Sequence, residues 1–518
     1  MITNINKFSS IIIVVCLTTN FARNVEKWEI DSFRRDVKEM FYHGYDNYLR
    51  HAYPYDELKP LSCQGMNTWG SFSLTLIDSL DTLLIMGNKT EFARVVKILI
   101  DTANFDIDIN VSVFETNIRI VGGLLSAHLL SHKAGLELED NWPCDGPLLR
   151  LAVDVADRLL PAFDTRTNLP YGTVNLRHGV PKGETTITST ATCGTLIVEF
   201  GTLSLLTGVS KYKDAAMKSI LALWEKKSAI GLVGNHIDSN SGSWTAKESG
   251  IGGGIDSYFE YLVKGSLLND DPELMDMFKE YDKAIYKYLN YADWYVWADM
   301  MRGNVVIPIF QSLDAFWPGI QVLVGNITQA AKTFRNYYSV WRRLGFIPES
   351  YAITDNMPYS NRNEYPLRPE LIESAWYLYI ATKDPIYLEA GMEITKSINR
   401  TRTKCGFATV KNVMNHELED RMESFFLAET TKYLYLLFDT ENFINNDGKF
   451  GVTYKSKNGK SCILDSGSYI FNTEAHPIDK GAFDCCHSLD SKKFSKLSAL
   501  KCEANTFRSR LSTASAII

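Results

Sequence analysis

The chain has 518 residues, of which 45% are hydrophobic and 22% charged, and its formal net charge is -7. Those proportions exclude a disordered chain and supply a large core. The negative balance, with no dense Lys/Arg block, argues against nucleic acid or an anionic membrane surface as the main partner.

At the start of the chain Lys7 precedes the apolar run Ile11 to Leu17, and small and polar residues follow up to Ala22. A basic start and an apolar centre too short to span a bilayer read as a secretory signal sequence over 1–22. No later segment reads as a membrane span, so the chain is expected to be lumenal or secreted. Asn88, Asn110, Asn326 and Asn399 each open an Asn-X-Ser/Thr acceptor triplet, which fits that compartment. Cys16 lies in the leader; Cys63, Cys144, Cys193, Cys405, Cys462, Cys485, Cys486 and Cys502 match no zinc pattern. In an oxidising lumen some of them are expected to pair, the adjacent Cys485 and Cys486 with separate partners, and others to stay buried thiols.

Apolar residues recur at three-to-four spacing over 33–50, 71–86, 91–103, 116–134, 147–160, 191–207, 212–225, 256–268, 273–290, 320–344, 370–382, 386–398 and 420–438. About thirteen helices follow, joined by short turns such as Gly87-Asn88, Gly208-Val209 and Lys383-Asp384-Pro385, so that neighbours pack antiparallel. Period-two alternation is confined to pieces such as Leu169 to Leu176 and Gly406 to Val410, expected as small hairpins. The class is all-α: one domain of stacked helical hairpins over 33–478, with a polar C-terminal tail over 479–518.

Five acidic motifs sit where apolar helices begin or end: Phe114 to Arg119, Gly254 to Tyr261, Leu367 to Ser374, Met422 to Thr430 and Phe471 to Pro477. A carboxylate in a first helical turn is an ordinary cap, stabilised by about 0.3 to 1 kcal/mol from the helix dipole. The set as a whole asks for more. Glu370 and Glu373 put like charges on one face, Glu115 and Arg119 lie four apart, and Arg368 sits two residues before Glu370. Phe114, Tyr258, Phe259, Tyr261, Trp376, Phe425 and Phe426 crowd the same places, either as plain core or as surfaces on which sugar rings stack. Glycoside hydrolysis needs two carboxylic groups with separated pKa values, which a cluster of acids supplies. The same cluster suits a hard cation, for which Thr473, between Asn472 and Glu474, offers a hydroxyl and a carbonyl.

At these motifs, and at Asp56 to Cys63 and Trp69 to Ile85, the chain resembles the class I α-1,2-mannosidases, and within them the endoplasmic-reticulum degradation-enhancing branch, from about Phe41 to His487. The resemblance implies an (α/α)7 barrel of antiparallel helical hairpins, plugged at one end, with Ca2+ at its base. By motif, Glu115 resembles the general acid, Asp256 a second acid near the leaving oxygen, Glu370 the water-activating base and Glu349 a further acid. Arg119, Arg368, Glu373, Phe425 and Glu429 match positions lining the mannose pocket, Thr473 the calcium ligand, and Cys63 and Cys405 a cysteine pair. The implied function is removal of α-1,2-linked mannose, with inversion, from high-mannose N-glycans of misfolded glycoproteins, marking them for endoplasmic-reticulum-associated degradation. The implied partners are those glycans and a thioredoxin-like oxidoreductase reached through a disulfide. The chain departs from the glycan-processing branch at Ser312, where a histidine is usual, and at Gly254, where a larger residue is. A lectin-like receptor or a docking scaffold is the rival reading.

Overall fold

The computed structural model describes residues 25–486 except 137, 360, 457 and 458. The expected signal sequence and residues 487–518, with Cys502, lie outside the described residues.

Two kinds of helix alternate along the chain. The first kind is apolar on every side and is buried all round: Leu74–Asp78 with Leu80–Ile85, Gly122–Leu130, Ile197–Thr207, Asp256–Asn269, Trp317–Leu323, Glu370–Thr382 and Thr431–Phe438. A helix without a polar face has to sit inside a larger structure. The second kind is amphipathic: Lys27–His51, Lys89–Thr102, Pro147–Leu159, Lys211–Glu225, Pro272–Tyr288, Ile327–Leu344 and Ile386–Asn399. Pro147–Leu159 shows why, burying Leu148, Leu149, Ala152, Val155, Ala156 and Leu159 along one stripe. Each inner helix packs on the outer helix that follows it, inner helices touch their neighbours in turn, and Lys27–His51 packs on Thr431–Phe438. The ring therefore closes as seven inner and seven outer helices, an (α/α)7 barrel. Among the described residues one segment, Thr190–Thr207, is long and apolar enough to cross a membrane, and it is an inner helix of this ring.

One expected helix, over 320–344, is two. Gly325, at φ 88°, ends the inner helix after Leu323, with the Gly325 and Asn326 amides donating back to the Val322 and Gln321 carbonyls. That is the left-handed helix stop that glycine makes available. The outer partner restarts at Ile327, which completes the fifth of the seven pairs.

Short antiparallel sheets lie between the end of each outer helix and the start of the next inner one, on the rim where the inner helices begin. They include Asn110–Ser112 with Thr173–Asn175, and Ile309–Gln311 with Ser350–Ala352. Of the two expected hairpins, Thr409–Asn412 pairs locally with Glu417–Glu419, whereas Thr173–Asn175 pairs with the distant Asn110–Ser112.

At the opposite end a hairpin, Tyr469–Phe471 with Pro477–Asp479, enters the barrel. Its tip is anchored by Asn472, whose amide nitrogen donates to the Ile118 carbonyl (2.8 Å) and to Glu199 (2.9 Å). The expected tail boundary at Asp479 falls too early. Asp479 is buried, Lys480–Cys485 forms a tight helical turn, and disulfides join Cys485 to Cys462 and Cys486 to Cys144. The polar sequence hid this because two disulfides hold the segment alongside a few buried apolar side chains, Ala482 and Phe483. The Cys63–Cys405 bridge is also present, and Cys193 is a buried thiol.

Candidate active site

The inner helices begin at a funnel, and the expected acids meet at its floor. Glu370 and Asp256 are the first residues of their helices. Ser112 caps the turn carrying Glu115 by accepting from the Glu115 amide (3.3 Å). Glu349 comes from the segment beside the Ser350–Ala352 strand.

Two arginines organise these acids. The Arg119 Nε donates to Glu115 (2.7 Å), and its Nη1 lies 3.1 Å from Glu474 and 3.7 Å from Asp78. Arg368 forms a fork on Glu349, Nε to Oε1 at 2.5 Å and Nη2 to Oε2 at 3.1 Å. The Phe425 ring lies between the two guanidiniums, 5.6 Å from Arg119 and 5.5 Å from Arg368. Leu367, held at φ 63° in the left-handed region, aims Arg368, and its carbonyl accepts from the Thr430 hydroxyl (2.6 Å). Arg119 and Glu429 both ride on π-helical turns, Thr116–Val121 and Phe426–Thr430. Such turns cost backbone geometry and concentrate at functional sites.

The environments separate the carboxyl groups. Burial pushes Glu370 up to about 8 against the opposing charge of Arg368, and burial pushes Asp256 up to about 7, helped by Glu260. Burial would also raise Glu349, but the Arg368 fork outweighs it and holds that carboxyl below its usual value. Buried acids thus stand in two protonation regimes within one site, which acid–base catalysis requires.

Beneath them lies a second layer of charge. Glu373 is raised by burial, with Tyr433 donating to it (3.2 Å) and Lys264 3.6 Å away; Lys264 also pairs with Glu260. Glu429 is pushed up by burial and then by Glu474, and Glu474 by burial, with Asp78 and Glu115 adding to it against the opposing charge of Arg119. Thr473 stands half-buried at the hairpin tip among these groups, its amide donating to the Tyr261 hydroxyl (3.3 Å). Among the described residues no three His, Cys, Asp or Glu side chains are grouped to ligate a metal directly. The donors present are all oxygens with an excess of buried negative charge, which fits a hard dication held by Thr473 rather than a thiolate or imidazole metal.

Several functional groups escaped the sequence reading. Asp78 accepts from the Ser424 hydroxyl, Glu57 accepts from the Ser424 amide (2.8 Å), and Asp81 binds Lys432 (2.6 Å) and His476 (2.7 Å). Burial would lower His476, but Asp81 and Asp78 push it up to about 9. The available signal was two aspartates within an otherwise apolar inner helix, since a buried charge needs a partner. Of the aromatics, Tyr258, Phe259, Tyr261 and Phe426 are buried core, Trp376 packs on Phe471 and Phe114 is half-buried, while Phe425 is the ring beside both site arginines. Among the acceptor asparagines, Asn110, Asn326 and Asn399 are exposed, while Asn88 caps Lys89–Thr102 and donates to the Tyr42 hydroxyl (2.9 Å). A cavity of about 510 Å³ at the closed end, against the Cys144–Cys486 bridge, contains none of the site acids.

The profile of glycosyl hydrolase family 47 matches residues 40–480. The chain belongs to glycosyl hydrolase family 47. It is 59% identical over 463 residues to "ER degradation-enhancing alpha-mannosidase-like protein 2" of Mus musculus, spanning 89% of this chain and 80% of that protein, and equally so to its Homo sapiens counterpart. It is 44% identical to "Alpha-mannosidase I MNS4" of Arabidopsis thaliana, over 88% of this chain and 71% of that one. The solved "alpha-1,2-mannosidase from Trichoderma reesei" superposes with a TM-score of 0.74 at 25% identity, covering 87% of this chain and 99% of the other. Membership of family 47 makes the protein a glycosidase of the α-mannosidase class, and the funnel acids lie within the matched span.

Proposed function

We propose that this protein hydrolyses α-1,2-linked mannose from high-mannose N-glycans of misfolded glycoproteins, with inversion, in the endoplasmic reticulum lumen, and so commits them to degradation. The observation that carries this reading is the convergence of Glu115, Asp256, Glu349 and Glu370 around two arginines and Phe425, with Asp256 and Glu370 raised and Glu349 lowered. Inversion takes one carboxylic acid to protonate the leaving oxygen and one carboxylate to activate water on the opposite face of the sugar. Glu370 serves as the base in its ionised form, which the charge of Arg368 favours against burial, and Glu115, which accepts from Arg119, delivers the proton. Asp256 keeps a proton near neutral pH beside the leaving oxygen. Arg368 holds Glu349 charged, so that pair fixes the floor of the pocket, and Phe425 stacks against the sugar.

A Ca2+ ion bound at Thr473 would add positive charge beyond what Lys264 and Arg119 give to Glu260, Glu373, Glu429 and Glu474, and would anchor hydroxyls of the bound mannose. Three disulfides suit an oxidising compartment. With six cysteines bridged and Cys193 buried, Cys502 is the thiol we assign to a thioredoxin-like partner.

The test is mannose release from a denatured high-mannose glycoprotein by wild type and Glu370→Gln, with Ca2+ and with chelator, with and without a co-expressed thioredoxin-like partner. Ca2+-dependent loss of mannose that disappears in Glu370→Gln is expected. Glycan binding without turnover under every condition makes the protein a lectin or scaffold.

A further inference from the structure

A single tight turn, Ser312–Phe316, touches the elements that carry three of the four funnel acids. The Ser312 hydroxyl donates to Glu349 (2.9 Å), and its amide donates to the Glu349 carbonyl (3.2 Å). The Ser374 hydroxyl, on the helix that begins with Glu370, donates to the Ala315 carbonyl and accepts from the Gly319 amide (3.1 Å). The third connection runs through Gln311 and Asp314, which close a reciprocal capping box at the start of the turn. Asp314 Oδ2 accepts from the Gln311 amide (2.9 Å), and the Gln311 side-chain oxygen accepts from the Gly253 amide (3.0 Å).

The Gly252–Gly254 loop is pressed onto that box. A methyl group on Gly252 would lie 2.1 Å from Asp314 Oδ1 and 2.6 Å from the Gln311 side-chain oxygen, so only glycine fits the contact. The Gly252 carbonyl in turn accepts from the Ile255 and Asp256 amides, each at 3.0 Å, and so places the first residue of the helix Asp256–Asn269. Asp314 is 1% exposed and its Oδ1 has no hydrogen-bond partner. Burial, and then Asp256, push its carboxyl well above the usual range, which leaves it neutral and compatible with a nearby acid. A bare cap would not need a fully buried carboxyl: an exposed Asp or Ser stabilises a turn as well.

We propose that Asp314 is a positioning residue for the hydrolytic reaction, acting with Gln311 through the Gly252–Gly254 loop to set where the Asp256 carboxyl stands relative to Glu349 and Glu370. The inference rests on the hydrolase reading above. A displacement of the order of 1 Å in such a group costs about a hundredfold in rate, whereas sugar contacts elsewhere in the funnel are unaffected.

The experiment compares the full chain with Asp314→Ala, Asp314→Asn and Gln311→Ala. It reads kcat and KM for mannose release, thermal unfolding, and hydrogen exchange of the 250–257 segment. Asp314→Ala and Gln311→Ala are expected to lower kcat by about tenfold to a hundredfold with KM changed less than threefold, and to quicken exchange at 250–257. Asp314→Asn keeps an oxygen for the Gln311 amide and the neutral charge, and is expected to restore most of the rate and the slow exchange. Unchanged exchange and kcat in Asp314→Ala overturn the proposal, as does a variant whose loss appears wholly in KM. A wild type without turnover sinks the hydrolase reading and the catalytic meaning of Asp314 with it. Faster exchange in the variants then still tells a failed reaction from a failed contact.

Discussion

Removing the Cys63–Cys405 bridge gives a stability change that can be worked from the chain path. The two residues are 342 apart in sequence, as are Cys144 and Cys486. With the other two bridges in place the unfolded chain has a shorter route between the first pair, 81 residues from Cys63 to Cys144 and 58 back from Cys486 through the Cys462–Cys485 bridge to Cys405. A loop of about 140 residues corresponds to about 5 kcal/mol of unfolded-state entropy at 25 °C. At ~2.1 cal/mol/K per residue, a folded body of roughly 460 residues unfolds with about 1 kcal/mol/K, so the Cys63→Ala/Cys405→Ala double variant should melt about 5 °C lower. The Cys462–Cys485 bridge spans only 23 residues, and its removal should lower the midpoint by about 3 °C. Calorimetry under non-oxidising, non-reducing conditions reads both. Equal shifts, or a larger one for the short loop, would refute the argument that loop length sets the order. Activity should fall in the long-loop variant as well. The bridge fastens the 57–66 hairpin to the segment entering the funnel, beside Asp420, which accepts from the Leu61 and Ser62 amides, and Ser424, which donates to Glu57.

Lys264→Met strands Glu260 and Glu373 as unpaired buried acids and should cost about 3 to 5 kcal/mol, seen as a lower melting point that added Ca2+ partly restores; no change would mean the lysine is dispensable. Phe425→Ala removes the ring between Arg119 and Arg368 and should raise KM about tenfold while kcat falls less, checked by initial rates on a high-mannose glycan. Stability should depend on pH in a direction the raised acids fix. An unfolded carboxyl titrates near 4, whereas folded Asp256 stands at about 7 and Glu370 at about 8. The folded state therefore binds more protons between those values, and stability present below about pH 4 is lost as pH rises through 7 to 8. The chelated protein should melt progressively lower from pH 5 to 8, and Ca2+ should flatten that slope. A flat profile in chelator would contradict it.

Much of this was legible in the sequence because the inner and outer helices obey different rules. Pro147–Leu159 announces its stripe, and Ile197–Thr207 announces its lack of one. The i, i+4 pair Glu115–Arg119 and the Arg368–Glu370 motif were readable, since helix geometry alone brings such groups to one place. What stayed hidden depended on long-range closure. The fork of Arg368 on Glu349, the Ser424 hydroxyl on Asp78, and His476 between two aspartates from the opposite end of the chain have no local signal. The Gly325 stop has no signal in the apolar spacing, which continues across it, so the fifth pair reads as one long helix.

The plug hairpin explains why so many acids can be buried together. His476, charged because Asp78 and Asp81 enclose it, and Lys432, which donates to the Ala475 carbonyl (2.7 Å) and pairs with Asp81, fasten the base of the tip. Asn472 fastens its front to Glu199, a buried acid that Tyr261 and Asn117 also satisfy. A hairpin held from both sides cannot retreat from the acids that surround it, Glu429 being pushed up by Glu474 and Glu373 after burial. Burial first, and the neighbouring carboxyls after it, are instead expressed as raised pKa values, which a bound cation would relieve. The same fastening places the hairpin tip beneath the helix starts that carry Glu370 and Asp256, so a cation bound at Thr473 would discharge the lower layer without requiring the upper one to move.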